Sequence, residues 1–238
     1  MQRSFSLWAL SVCLSLAAIS GFAQEPESRE ASSSPAIQTK ASQAAMTPQK
    51  AIEILQAGNK RFTSGRPLHR DLAANLRATA AGQYPFGAIV SCMDSRGPVE
   101  IIFDQTVGDV FSIRVAGNVV NADVLGSLEY ATKVAGAKLI LVLGHTHCGA
   151  VKGAIDKVKL GNLTELLAKI SPAVTAAGPG SSKDHEYVDR VAEQNLRLAM
   201  KQIRETSPIL RDLISSGAVR LVGGMYDIET GKVTFYGG

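Results

Sequence analysis

Three side chains in this sequence have the type and spacing to hold a soft metal ion. His145 and Cys148 lie three residues apart in Gly144-His145-Thr146-His147-Cys148-Gly149, and Cys92 opens a second segment, Cys92-Met93-Asp94-Ser95-Arg96. Two thiolates and one imidazole suit Zn2+, and a three-residue ligand set leaves a fourth position open for water or substrate. The same two cysteines could instead form a disulfide, the ordinary pairing in an oxidising compartment. Spacing alone leaves zinc and disulfide equally open. Asp94 and Arg96 stand two residues apart beside Cys92. A planar two-point carboxylate–guanidinium pair would fit there, either as a surface ion pair or as part of a site.

The elements around these residues must bring them together. Phe86 to Val90 is short, apolar on both faces, and leads into Cys92. Leu139 to Leu143 is a continuous apolar run that ends at Gly144, as expected of a central parallel strand covered by helices. Val110 to Val115, Val219 to Tyr226 and Lys232 to Phe235 are further strand candidates, the last two joined by a turn at Glu229-Thr230-Gly231. Thr47-Pro48 starts a helix with a hydroxyl cap and a proline in the first turn, and Ala51, Ile52, Leu55 and Phe62 repeat at helical spacing. Helices are also expected over Leu72–Ala80, Asp123–Ala135 and Tyr187–Glu205, with another opening at Pro208 and breaks at Gly161, Pro172 and Gly178-Pro179-Gly180. Alternating strands and helices predict an α/β fold with a mainly parallel central sheet flanked by helices. Ligands in such sheets bind beyond the carboxyl ends of the strands. Cys92, His145 and Cys148 meet at that rim if their two strands are neighbours.

The motifs resemble a known family. Cys92-Met93-Asp94-Ser95-Arg96 is similar to the C-x-D-S-R signature of the β-class carbonic anhydrases, and Gly144-His145-Thr146-His147-Cys148-Gly149 resembles their G-H-x-x-C-G. Segments around Gly58–Phe62, Arg114–Asn118, Gly126–Ala131 and Tyr226–Ile228 are also similar, so the resemblance runs from about Thr47 to the C-terminus. It implies a lyase that hydrates carbon dioxide reversibly to bicarbonate and a proton, by attack of zinc-bound hydroxide. Cys92, His145 and Cys148 would be the zinc ligands, and Asp94 with Arg96 the catalytic dyad, Asp94 being a fourth ligand in a closed state. Gln105 would hydrogen-bond substrate, and Gly149 would offer a backbone N–H to an anion, against close packing as the bland explanation. His147 is expected to be a turn histidine, and His69 and His185 receive no role. A homodimer or higher homo-oligomer is also implied. Hydrolysis of carbon disulfide or carbonyl sulfide at the same site, and a non-catalytic zinc-binding protein, are the competing functions.

The chain ends and composition set the remaining expectations. Residues 1–23 carry Arg3, an apolar run from Leu7 to Ile19, and the small residues Gly21 and Ala23, the pattern of a cleaved secretion signal. The run is short for a bilayer span, which needs about 20 residues. Residues 24–46 are rich in Ser, Ala, Gln and Glu and are expected to form a flexible leader, followed by one domain over 47–238. Secretion, to a bacterial periplasm or exterior, follows from the signal reading. The sole tryptophan, Trp8, leaves with that signal, which argues against a tryptophan-dependent bicarbonate site of the kind some family members have. Formal net charge is +4, or +3 without Arg3, and the basic residues are scattered. Nucleic acid is therefore not an expected partner.

Overall fold

A computed structural model describes residues 36–237 of the chain. The signal expected at 1–23 and the leader as far as residue 35 lie outside the described residues. The helices are α1 (Lys40–Ala44), α2 (Pro48–Thr63), α3 (Leu72–Thr79), α4 (Val99–Ile102), α5 (Ala122–Glu129), α6 (Gly149–Ile155), α7 (Gly161–Ala168), α8 (Ser171–Ala176), α9 (His185–Thr206) and α10 (Pro208–Ser215). The strands are β1 (Gly87–Ser91), β2 (Val110–Arg114), β3 (Leu139–His145), β4 (Arg220–Tyr226) and β5 (Val233–Tyr236). They form one sheet in the order β2-β1-β3-β4-β5. The first four run parallel and β5 pairs antiparallel with β4. None of the described helices is long and apolar enough to cross a membrane.

Both faces of the sheet are covered, which explains why β3 is apolar from Leu139 to Leu143 and buried along its whole length. Side chains alternate between the faces. Ala88, Val90, Ile140 and Val142 pack with Val188, Val191, Ala192 and Leu196 of α9. Ile89, Leu139, Leu141 and Leu143 pack on the other side with Ala51, Ile52 and Leu55 of α2. Thr47 caps α2 as its position before Pro48 predicts, accepting the Lys50 N–H at 3.1 Å.

Three local differences from the sequence expectations have physical causes. β3 does not stop at Gly144 but pairs with β4 through Gly144↔Met225 and His145↔Tyr226. A side chain at Gly144 would place its Cβ 2.7 Å from Met225 Sδ, so glycine here makes room rather than a turn. The expected helix from Asp123 widens after Glu129 into a π turn over Tyr130–Val134, where the Ala135 N–H reaches back to the Tyr130 carbonyl at 2.8 Å. Gly161 and Pro172 open helices α7 and α8, since proline is tolerated in a first turn.

A fourth difference is that α1 lies inside the stretch expected to be a flexible leader. Thr39 and Ser42 form a capping box, and Gln43 is buried. Its amide donates to the Pro85 carbonyl at 2.7 Å and the Ala135 carbonyl at 2.8 Å. Polar composition does not reveal this, because the bonds are long-range. Gln43→Ala should lower unfolding free energy by about 1–3 kcal/mol, the cost of leaving buried acceptors unpaired. Urea denaturation measures it, and an unchanged midpoint would show that α1 does not dock in solution.

Candidate metal centre and active site

The strand order solves the first requirement of the site. β1 and β3 are neighbours with Ser91 opposite Leu143. Cys92, the residue after β1, therefore sits beside the end of β3, where His145 is the last strand residue. Cys148 follows at the entry to α6. The ligating atoms of Cys92, His145 and Cys148 all lie within 4.8 Å of one another, and all three residues are buried. Cys92 and Cys148 are free thiols.

The electrostatics of the cluster are those of a metal site. His145 Nδ1 is 2.8 Å from the Thr146 carbonyl. A carbonyl only accepts, so Nδ1 carries the ring proton and Nε2 presents its lone pair. Nε2 is buried and has no hydrogen-bond partner among the described residues. An orphaned buried imidazole nitrogen is costly unless something else satisfies it. The Cys92 and Cys148 sulfurs lie within 4.8 Å of it, a spacing that a bound cation would bridge. A carbonyl on the far ring nitrogen is the usual support of a metal-bound histidine. Without a metal, the two thiols behave as a pair. The Cys148 thiol donates to Cys92 and, despite burial, pulls Cys92 down to about 4, aided by the Gly117 N–H at 3.2 Å from its sulfur. The negative sulfur of Cys92, with burial, pushes Cys148 up. Burial acts to lower His145, but the neighbouring Cys92 outweighs it and the ring moves upward. The residues fit a thiophilic divalent ion, and Zn2+ best among the common ones.

Asp94 and Arg96 form the two-point pair that their spacing allows. Arg96 Nε donates to Asp94 Oδ1 at 2.9 Å and Nη2 to Oδ2 at 2.7 Å. The Arg96 backbone N–H adds a third bond to Oδ1 at 2.9 Å. The Arg96 guanidinium, more than any other group, holds the Asp94 carboxyl well below the usual carboxylate range. Asp94 Oδ2 is 3.9 Å from His145 Nε2, so the carboxylate sits at the edge of the donor cluster. Arg114, at the end of β2, pins the turn by donating to the Asp94 carbonyl at 2.5 Å and the Cys92 carbonyl at 3.2 Å. Tyr226 donates to the Arg96 carbonyl at 3.3 Å. A pocket of about 10 Å3, room for about one water, has walls from Ser91, Asp94, Leu143, His145 and Tyr226. That space lies beside the donors, with the ionised carboxylate on one side.

Other expected residues fall elsewhere. Gln105 does not line this cavity. Its amide donates to the Phe103 carbonyl at 2.6 Å and the Asp104 carbonyl at 3.0 Å, and it faces a separate cavity with Arg61 and Arg70. Within one chain the two amide N–H groups of Gln105 are taken by local backbone acceptors. Gly149 also lies off the cavity wall. A Cβ there would meet no described atom within 4 Å, so close packing does not explain the glycine. His147 adopts a left-handed backbone, φ 56°, and packs its ring 4.3 Å from that of His185, with Nδ1 3.9 Å from Glu229 Oε1. His69 is exposed. The Arg114 clamp and the Gly117 N–H carry no spacing signal of their own, because each acts on a residue more than 20 positions away.

Comparison with known proteins agrees with this geometry. The carbonic anhydrase family profile matches residues 87–233. The chain is 37% identical over 192 residues to carbonic anhydrase 2 of Mycobacterium tuberculosis, covering 78% of this chain and 91% of that protein. Among solved structures it is similar to the β-carbonic anhydrase CcaA, with TM-score 0.63 and 30% identity over 79% of this chain and 94% of the other. It is also similar to a tetrameric β-carbonic anhydrase from Sordaria macrospora, with TM-score 0.60 and 25% identity over 70% of this chain and 91% of the other.

Proposed function

Because this chain belongs to the β-class carbonic anhydrases, we propose that it hydrates carbon dioxide reversibly to bicarbonate and a proton at a zinc ion held by Cys92, His145 and Cys148. The observation that carries this reading is the unpartnered, buried Nε2 of His145 beside two free thiols and within reach of the Asp94–Arg96 pair. Zinc held there supplies a Lewis acid that makes water acidic enough to act as a nucleophile near neutral pH.

The protein's own groups do the rest. Asp94 stays ionised and accepts a hydrogen bond from the attacking water, which turns the oxygen lone pair toward the carbon. Arg96 holds both carboxylate oxygens and so keeps Asp94 from moving onto the metal. Arg114 fixes the backbone between Cys92 and Asp94, which sets the distance between ligand and base. Leu143 and the Tyr226 ring give the cavity an apolar wall suited to an uncharged linear substrate.

Stopped-flow carbon dioxide hydration, with metal content measured on the same sample, tests the proposal. One zinc per chain and an activity lost on chelation are expected. A metal-free active chain with a Cys92–Cys148 disulfide would overturn it, and turnover of carbon disulfide without carbon dioxide hydration would redirect the substrate assignment.

We infer a homo-oligomer as the working form. The similarity to a tetrameric relative supports it, as does the apolar surface of Tyr130 and Val134, which are 49% and 71% exposed. We also infer export, supported by the sequence pattern of residues 1–23. The intact mass of the mature chain, expected to begin at Gln24, tests export.

A further inference from the structure

Helix α9 starts 37 residues after Cys148, and nothing in its sequence marks it as part of a metal site. Two of its side chains nevertheless reach the site's surroundings: one meets the Gly117 loop after β2, the other the loop that carries His145 and Cys148. Asn195 is buried and its amide donates to the Gly117 carbonyl at 2.7 Å. The N–H of that same Gly117 points at Cys92 Sγ. Asp189, one and a half turns earlier on α9, accepts the His147 N–H at 2.7 Å. His147 lies between His145 and Cys148 in the chain.

Both loops need holding. Gly117 has φ 66° and Asn118 has φ 44°, and His147 has φ 56°. The left-handed region is unfavourable for residues with a side chain and persists where surrounding contacts enforce it. Gly117 is further confined, because a Cβ on it would stand 2.5 Å from Ile170 Cδ1. α9 itself is anchored along the sheet by Val188, Val191, Ala192 and Leu196. A rigid helix therefore grips one loop through Asn195 and the other through Asp189.

We propose that Asn195 and Asp189 are positioning residues for the metal, α9 acting as a brace that holds the Gly117 loop against Cys92 and the His145–Cys148 loop beside it at the separation the ion requires. The inference rests on the zinc reading above. Neither residue touches the reacting atoms. Asn195 acts through the Gly117 peptide on Cys92, and Asp189 acts through the His147 peptide on the ligands either side of it. Partners of this kind change metal affinity by about 10–100-fold when removed.

Zinc affinity, measured by competition with a chromophoric chelator, tests the brace alongside thermal unfolding of the metal-free chain. Asn195→Asp keeps the shape but sets a carboxylate oxygen against the Gly117 carbonyl. It should weaken zinc binding about 10–100-fold. Asp189→Ala should do the same, whereas Asp189→Asn retains an oxygen acceptor for the His147 N–H and should stay within about threefold of wild type. The optical spectrum of the cobalt-substituted chain should shift in the first two variants and not in the third. If Asn195→Asp does not fold, Asn195→Ala, which removes the donor without adding a charge, takes its place in the same comparison.

Wild-type affinity in Asn195→Asp and Asp189→Ala, with only the unfolding temperature lowered, would overturn the brace and leave an ordinary structural role. A wild-type chain that takes up no zinc would overturn the metal reading itself, a result distinct from either.

Discussion

Cys92→Ser should leave the chain folded but unable to keep zinc, and carbon dioxide hydration should fall at least ~1000-fold, the scale set by losing the metal's activation of water. The substitution is small. Cys92 is buried at the end of β1, and a serine hydroxyl can still accept the Gly117 N–H that now points at the sulfur. Packing around Val90 and Leu143 is untouched. The loss falls on the ligand set. A hydroxyl is a poor donor for a thiophilic ion and does not ionise near neutral pH, so two protein ligands remain in place of three. Loss of a group that only supports a ligand costs about 10–100-fold in affinity, and loss of a ligand should cost more. Zinc per chain after dialysis against a weak chelator, circular dichroism and stopped-flow rates belong together in this experiment. A folded Cys92→Ser chain that retains one zinc and hydrates carbon dioxide at the wild-type rate would remove Cys92 from the site. A folded chain that loses zinc yet keeps its rate would separate the metal from catalysis.

Cys92 and Cys148 were legible in the sequence because their neighbours are unusual: a thiol beside Asp94 and Arg96, and a histidine three residues before a second thiol. The strands that carry them were legible for a plainer reason. Apolar runs bounded by glycine are hard to mistake when the sheet is covered on both faces. Strand order was not legible. Only the β1–β3 pairing brings Cys92 to His145, and pairing between segments 52 residues apart leaves no mark on either. The same limit hid the polar contacts. Gln43 sits in a stretch whose composition resembles a leader, yet it bonds to carbonyls 42 and 92 positions away. Gln105 likewise gave no local sign that its amide bonds to the carbonyls of the loop it stands on. Asn195 looked like one more polar residue on an amphipathic helix, and only the packed structure shows it buried against Gly117. The members of the donor cluster could be named from their motifs, whereas the groups that hold them in place depend on distant contacts.

Arg96→Ala should keep close to one zinc per chain and lower kcat/KM by about 10–100-fold, the range in which one or two charge-assisted bonds shift an equilibrium. Asp94 has two destinations. Bound to Arg96 by two side-chain bonds, it stays at the edge of the donor cluster, with Oδ2 3.9 Å from His145 Nε2. Released, it can turn the remaining distance and take the fourth position of a metal held by Cys92, His145 and Cys148. Arg96 is 52% exposed, so water and salt weaken its grip, and the expected loss is set at the modest end for that reason. The pH dependence separates this account from simple loss of a charge. In the wild type the guanidinium holds the Asp94 carboxyl well below the usual carboxylate range. A depressed carboxylate keeps its pairing at every pH above its own folded pKa, so the pair persists across pH 5 to 8 and a decline in activity within that window is not Asp94 protonation. Without Arg96 the largest cause of the depression is gone, and Asp94 should move up toward the ordinary value of about 4. At neutral pH the freed group is still an anion and still competes for the metal. Rising pH favours hydroxide over that carboxylate, so the defect should be largest near pH 7 and shrink toward pH 9. Arg96→Lys restores the charge without the planar two-point hold and should recover only part of the rate. Asp94→Asn removes the competing anion, so its rate should be low without the same recovery at high pH. Profiles from pH 6 to 9 for the three variants, each with its zinc content, decide the matter. Near-wild-type rates for Arg96→Ala throughout that range would show that Arg96 is only a surface partner of Asp94.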